Sequence, residues 1–260
     1  MNKLVRTTAR WARLRVALFT LALVIAPLSA TAADFKPGFN LFSPQQDYEI
    51  GRQSALVANR RLPIINDSRA AMVNRIGHRL AAAAPGARFP YQFRVVNDSA
   101  INAFALPGGF VYVNRGALDA ARSENEVAAV LAHEIAHVSL RHGTNQASKA
   151  YLAQAGLGLV GGLLGNRAQG GLGQVIGMIG GFGLNTLFLK YSRSAESQAD
   201  LLGTQIMRRA GYDPRGMVSF LQTIQRQSGG RAVEFLSDHP NPENRIARLE
   251  RELGSAPRRR

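Results

Sequence analysis

Residues 123–143 read SENEVAAVLAHEIAHVSLRHG. The stretch predicts a single helix. Ser123 suits the N-cap, and Glu126, three residues on, completes a capping box. Gly143 suits the position just past a C-terminus. Val127, Val130, Leu131 and Val138 recur at helical spacing and form an apolar face. Inside this run, His133-Glu134-Ile135-Ala136-His137 has the pattern H-E-x-x-H. Residues four apart share a helix face, so both imidazoles can meet one ion, with the Glu134 carboxylate beside a water on that ion. The rival reading is a surface helix with two solvated histidines. It is disfavoured because the motif lies in an apolar, alanine-rich run, where an unpartnered His or Glu would be costly to bury.

The rest of the composition narrows the chemistry. The 260 residues are 46% hydrophobic, enough for one sizeable core. There is no cysteine, which excludes disulfides, thiolate metal sites and a cysteine nucleophile. Any metal is therefore held by histidines and carboxylates. Residues 1–33 predict a secretory signal peptide: Lys3, Arg6, Arg10, Arg13 and Arg15 without an acid, an apolar run from Val16 to Leu28, and a small-residue end at Ala32 or Ala33. The apolar run is short for a membrane span, although an uncleaved anchor is the alternative. Five positive charges of the formal +15 lie there, so +10 remains on the mature chain. In an exported protein that charge suits anionic lipid or another envelope polyanion, and no nucleic-acid partner is expected.

Taken in order, Ser43-Pro44 starts a helix to about Asn59, and Asp67 or Ser68 caps a second to about Ala84. His78 on that helix has no second candidate ligand at i+4. Strands follow at 91–96, 102–106 and 110–113, the last two joined by Pro107-Gly108-Gly109 as a hairpin. That hairpin is either plain core or presents an edge strand beside the 123–143 helix, able to bind an extended peptide. Between Lys149 and Lys190 the only charge is Arg167, and residues 156–183 hold twelve of the 26 glycines. This segment is either a closely packed helical hairpin or a lid that touches membrane. Helices are expected again at 192–210, from Asp213-Pro214, and at 243–253, with Ser237–Pro242 as a loop.

A catalytic zinc commonly takes three protein ligands and leaves a fourth position open. His142 is the nearest third candidate, but it stands at i+5 from His137, turned away on a continuous helix, and Leu140 and Gly143 break the longer metzincin pattern. Glu196 is the better choice, delivered by a second helix. Asp200, one turn on, can hydrogen-bond a ligand histidine and fix its tautomer.

Four blocks then make a resemblance. They are Asn102-Ala103-Phe104 with Pro107-Gly108-Gly109; His133-Glu134-Ile135-Ala136-His137 running to Arg141-His142; Glu196-Ser-Gln-Ala-Asp200; and His239-Pro240 with Arg245-Ile246. In this order they resemble the zinc metallopeptidase family that includes HtpX, the CAAX prenyl proteases and the periplasmic beta-barrel assembly-enhancing protease, and the chain is most like the periplasmic members. The resemblance implies a gluzincin-type domain, one zinc per chain, His133, His137 and Glu196 as ligands, and Glu134 as general base. It also implies a role for His239, either gating the metal or stabilising the transition state. The chain departs from membrane-spanning relatives in having a signal peptide, and it ends soon after Leu253, without room for a helical repeat domain.

The expectation is therefore an α+β, mostly helical chain with a small antiparallel sheet beside the active-site helix. Residues 1–33 are the signal peptide and 34–260 the metallopeptidase domain. The expected activity is that of an exported, periplasmic zinc endopeptidase acting on unfolded or misassembled envelope proteins, with peripheral membrane contact. The alternative is a tightly gated, chaperone-like assembly factor that rarely cleaves.

Overall fold

The computed structural model describes residues 35–86, 88–161, 191–227, 234–239 and 242–254. The expected signal peptide and most of the glycine-rich segment, residues 162–190, lie outside the described residues.

Helix α1 (Pro44–Arg61) starts at Ser43, whose hydroxyl accepts from Gln46 N–H while the Gln46 side chain accepts from Ser43 N–H. After the short strand β1 (Ile64–Ile65), Asp67 caps α2 (Ser68–Ala83) by accepting from Arg69 and Ala70 N–H. Strands β2 (Gln92–Val96), β3 (Ala103–Leu106) and β4 (Phe110–Asn114) follow. Helices α3 (Arg115–Ala120), α4 (Glu124–Ser139) and α5 (His142–Gly161) come next. The chain continues through α6 (Arg193–Arg209), α7 (Arg215–Gln227), α8 (Glu234–Asp238) and α9 (Pro242–Gly254).

Among the described residues the four strands run in the order β1-β2-β4-β3. The sheet is mixed, which corrects the expected antiparallel one. β3 and β4 form the antiparallel hairpin, with Ala105 opposite Val111, but β2 runs parallel to β4, with Phe93 opposite Val111. The unbroken apolar run Phe110–Val113 shows why β4 takes the central place. Val111 and Val113 face the main core with α2 and α4, while Phe110 and Tyr112 face α1 through Ala55 and Ala58. A strand covered on both faces belongs inside a sheet. β3 is left as one edge, and it packs beside α4.

Helix α4 is the centre of the core. Every residue from Glu126 to Ser139 is buried, so the helix is enclosed on all sides rather than on one apolar stripe. Ala128, Ala129, Ala132 and Ala136 are fully buried and let neighbouring helices approach closely. A Cβ added at Gly203 of α6 would lie 3.4 Å from the Ala132 carbonyl group. Leu131 and Ile135 are also fully buried, each contributing about 1.5–3 kcal/mol.

Both ends of the 123–143 helix differ from expectation. At the start, Ser123 accepts from Glu126 N–H, but the Glu126 carboxylate accepts from Arg122 N–H at 2.8 Å instead of from Ser123. At the end, α4 stops at Ser139, and Arg141 takes a left-handed conformation with φ 56°. An ion pair with the buried Asp47 offsets the strain. Arg141 Nε donates to Asp47 Oδ2 at 2.6 Å and Nη2 to Asp47 Oδ1 at 2.9 Å, and Nη2 also donates to the Phe42 carbonyl. His142 therefore opens a new helix instead of continuing the old one.

Candidate metal centre

α4 supplies His133 and His137, and α6, the helix it packs against most extensively, supplies Glu196. His239 follows α8, its N–H bonded to the Phe235 carbonyl at 2.7 Å, so it ends a helical turn rather than lying in the expected loop. These four side chains are buried, and one ligand atom from each lies within 4.8 Å of the others, a group that can hold a metal ion. His133 Nε2 is 3.1 Å from His137 Nε2 and 3.4 Å from Glu196 Oε2. Glu196 Oε1 is 3.5 Å from His137 Nε2 and 3.0 Å from His239 Nδ1.

Two tests show that the residues fit a metal. The donor set, imidazoles plus one carboxylate, suits a divalent ion of the zinc type. Beside it, Glu134 is buried, and among the described residues its Oε1 has no hydrogen-bond partner. That oxygen lies 3.6 Å from His239 Nε2, facing the same group. A buried carboxylate oxygen without a donor is costly unless something of the site's own chemistry meets it.

The electrostatics follow from burial and pairing. Burial opposes the charged form of His133, but hydrogen bonds to Asp200 and Glu196 outweigh it and hold its pKa up at about 9. Burial drives His137 well below the ordinary imidazole range. Burial also works to raise Glu196, yet attraction from His239 and hydrogen bonds from His133, His137 and His239 hold it far below the usual carboxylate range. For Glu134 burial dominates and pushes the pKa up.

Asp200 stands where the sequence reading puts it, one turn along α6, with Oδ1 3.0 Å from His133 Nδ1. Arg245 was quoted in the sequence only as part of a matching block and had no role there. In the structure its Nε and Nη2 each meet Asp200 at 2.7 Å, its Nη1 is 3.1 Å from Glu196 Oε2, and Nη1 donates to the His239 carbonyl at 3.2 Å. On α9 Arg245 stands four and eight residues before Leu249 and Leu253, on the buried face of the helix, and that spacing is the signal that could have marked it.

Three more neighbours were not anticipated. Tyr191 stacks on His137, ring centres 4.0 Å apart at 24°. Phe235 stacks on His239 at 4.5 Å and 27°. His142 is not among the converging atoms but turns back to His137, Nδ1 to Nδ1 at 2.9 Å. His78 lies on the exposed face of α2, bonded to the Asn74 carbonyl at 2.8 Å and outside the site. The edge strand connects to the site through α8. Asn102 Nδ2 donates to Asp238 Oδ2 at 3.0 Å, and Phe235 N–H donates to the Ile101 carbonyl at 3.0 Å.

Comparison with known proteins identifies the family. The pattern of peptidase family M48 matches residues 67–253, which include α4, α6 and α9. The beta-barrel assembly-enhancing protease of Escherichia coli K12 is 31% identical over 236 residues, covering 86% of this chain and 48% of that protein. The mitochondrial metalloendopeptidase OMA1 of Schizosaccharomyces pombe is 32% identical over 194 residues, covering 71% and 53%. The metalloprotease YcaL of E. coli is 28% identical over 166 residues, covering 64% and 63%. The chain spans about half the length of the first two. With the match running over most of its length and the buried His-Glu group at its centre, the chain belongs to peptidase family M48, as a metallopeptidase domain.

Proposed function

We propose that the chain is a zinc-dependent endopeptidase in which His133, His137 and Glu196 hold the ion and Glu134 is the general base. The observation that carries this reading is the buried cluster of donor atoms within 4.8 Å, with the unpartnered Glu134 oxygen facing it. A zinc ion there would polarise the scissile carbonyl and lower the pKa of water toward about 7. Glu134 takes the proton from the attacking water and returns it to the leaving amine. Its raised pKa brings it nearer the working pH, as a proton shuttle requires. Asp200 holds His133 in the tautomer that leaves Nε2 free, and Arg245 keeps Asp200 ionised, with a pKa of about 2.

His239 is the gate in this reading. Its Nδ1 lies 3.2 Å from His133 Nε2, inside the donor cluster. A substrate carbonyl needs that position, so His239 moves aside when peptide arrives. The edge strand β3 receives the peptide in extended form by strand addition. The substrates we propose are unfolded or misassembled proteins of the cell envelope, reached after export to the periplasm. The +10 charge of the chain beyond residue 33 supports peripheral contact with anionic lipid, and no nucleic-acid partner is proposed. No described helix is long and apolar enough to cross a membrane.

The position of His239 also supports the second reading, an assembly factor that seldom cleaves because the gate stays closed. Zinc content and cleavage of an unfolded casein-type substrate test both. His239→Ala is expected to cleave faster than wild type while keeping zinc. Lost cleavage with zinc retained would make His239 a catalytic group instead, and a wild-type chain free of zinc would remove the metal-site reading.

A further inference from the structure

The ligand histidine His137 is oriented by means different from those at His133. A ligand imidazole needs its outer nitrogen protonated, so that the inner nitrogen keeps its lone pair for the ion. At His133 the outer Nδ1 meets the Asp200 carboxylate at 3.0 Å. Among the described residues the outer Nδ1 of His137 meets no carboxylate. It lies 2.9 Å from Nδ1 of another imidazole, His142, which is itself buried.

Two neutral imidazoles facing each other through nitrogen need one donor and one acceptor, and the direction of that bond decides what His137 can do. If His142 donates, His137 Nδ1 is the acceptor, its proton sits on Nε2, and it cannot ligate. If His142 accepts, His137 carries its proton on Nδ1, and Nε2 is free for the ion. Ligation sets the direction. With the ion on Nε2, His137 carries its proton on Nδ1, so His142 Nδ1 must accept it and the His142 proton sits on Nε2. Gln198 can receive that proton: His142 Nε2 lies 3.3 Å from Gln198 Oε1, and the Gln198 amide nitrogen lies 3.4 Å from Ser194 Oγ.

The geometry points to His142 as a positioning residue that, through Gln198, sets the tautomer of His137 for metal binding. The inference rests on the proposed metal-site reading, in which His137 is a ligand. The relay Ser194–Gln198–His142–His137 has both ends in the same pair of helices. Ser194 and Gln198 lie on α6, which also carries Glu196, so one helix supplies the carboxylate ligand and orients an imidazole ligand. It also gives a physical reason for α4 to end at Ser139. A continuous helix would carry His142 away from His137. The left-handed turn at Arg141, held by Asp47, brings it back.

The test measures zinc affinity of the full chain by competition with a chelator, together with the imidazole tautomers in the 15N spectrum of the zinc-loaded protein. His142→Leu is expected to weaken zinc binding about tenfold to a hundredfold. His142→Asn, whose side-chain oxygen can accept from His137 Nδ1–H, is expected to recover most of that loss, which a purely space-filling role would not allow. Gln198→Leu, at a half-buried position, is expected to give a smaller loss and to let the His142 proton redistribute between its nitrogens. Should His142→Leu fail to fold, Gln198→Leu and the wild-type spectrum decide. Zinc affinity unchanged in His142→Leu, equal weakening in His142→Leu and His142→Asn, or a His142 proton found on Nδ1 in wild type would each overturn the inference. Failure of wild type to bind zinc would instead overturn the metal-site reading on which it rests.

Discussion

The guanidinium of Arg245 holds the Asp200 carboxylate through two hydrogen bonds of 2.7 Å, and both side chains are buried. The same guanidinium reaches Glu196 at 3.1 Å and the His239 carbonyl at 3.2 Å. One cation on α9 thus fixes acids on α6 and the segment that carries His239. Removing one partner of a buried ion pair leaves the other uncompensated. Arg245→Met is expected to cost about 3–5 kcal/mol of stability, measured by urea unfolding of the metal-free chain. Arg245→Lys keeps the charge but lacks the planar fork, and is expected to recover only part of it.

Glu134→Gln removes the proposed general base while keeping the size of the side chain. It is expected to lower the turnover of an unfolded substrate by about 10²–10⁴-fold. Zinc content, read by elemental analysis, is expected to match wild type, because Glu134 is not among the clustered donors. Normal turnover in this variant would remove Glu134 from the mechanism.

Metal uptake is expected to depend steeply on pH. In the metal-free site His133 is protonated up to about pH 9, held there against burial by Asp200 and Glu196. A ligand histidine must be neutral, so the ion displaces that proton. Zinc affinity should therefore rise roughly tenfold per pH unit from 7 toward 9, with about one proton released per ion at pH 7. Stability of the metal-free chain runs the other way. A histidine raised from 6.5 to about 9 contributes stability that is complete below 6.5 and lost as pH rises through 9. Isothermal titration in buffers of different ionisation heat, and melting of the metal-free chain across this range, check both signs.

Gly51 of α1 faces the turn between β3 and β4, where an added Cβ would lie 1.7 Å from the Pro107 carbonyl oxygen. Gly51→Ala forces the helix away from the turn that ends the edge strand. It is expected to destabilise the chain by about 1–3 kcal/mol or more, seen as a lower urea midpoint with unchanged slope. Gly254→Ala, where an added Cβ meets no atom within 4 Å, is the control and should be near neutral.

Much of the His-Glu cluster was legible along the chain because its parts have local periodicity. H-E-x-x-H needs only the four-residue repeat of a helix to place two imidazoles together. Glu196 and Asp200 repeat the same spacing, and the observed α6 carries both into the site. Helix starts at Ser43 and Asp67 were legible for the same reason, since a cap bonds only to residues two or three away. Strand order was not. The alternation of residues 91–96 and the apolar run 110–113 show strands but not partners, and only packing against α1 on one face and α2 with α4 on the other put β4 in the middle.

The sequence by itself determined which residue types could do the chemistry. With no cysteine and only five histidines, the donor set was nearly forced. Tertiary structure alone decided how those donors are held. Arg245 is 45 residues from Asp200, His239 is 106 from His133, and Asp47 is 94 from Arg141, distances over which no periodicity carries information. The break after Ser139 is the clearest case. The local sequence favours one continuous helix to Gly143, and an ion pair with a distant helix overrides it, because leaving the buried Asp47 unpaired would cost more than the left-handed turn.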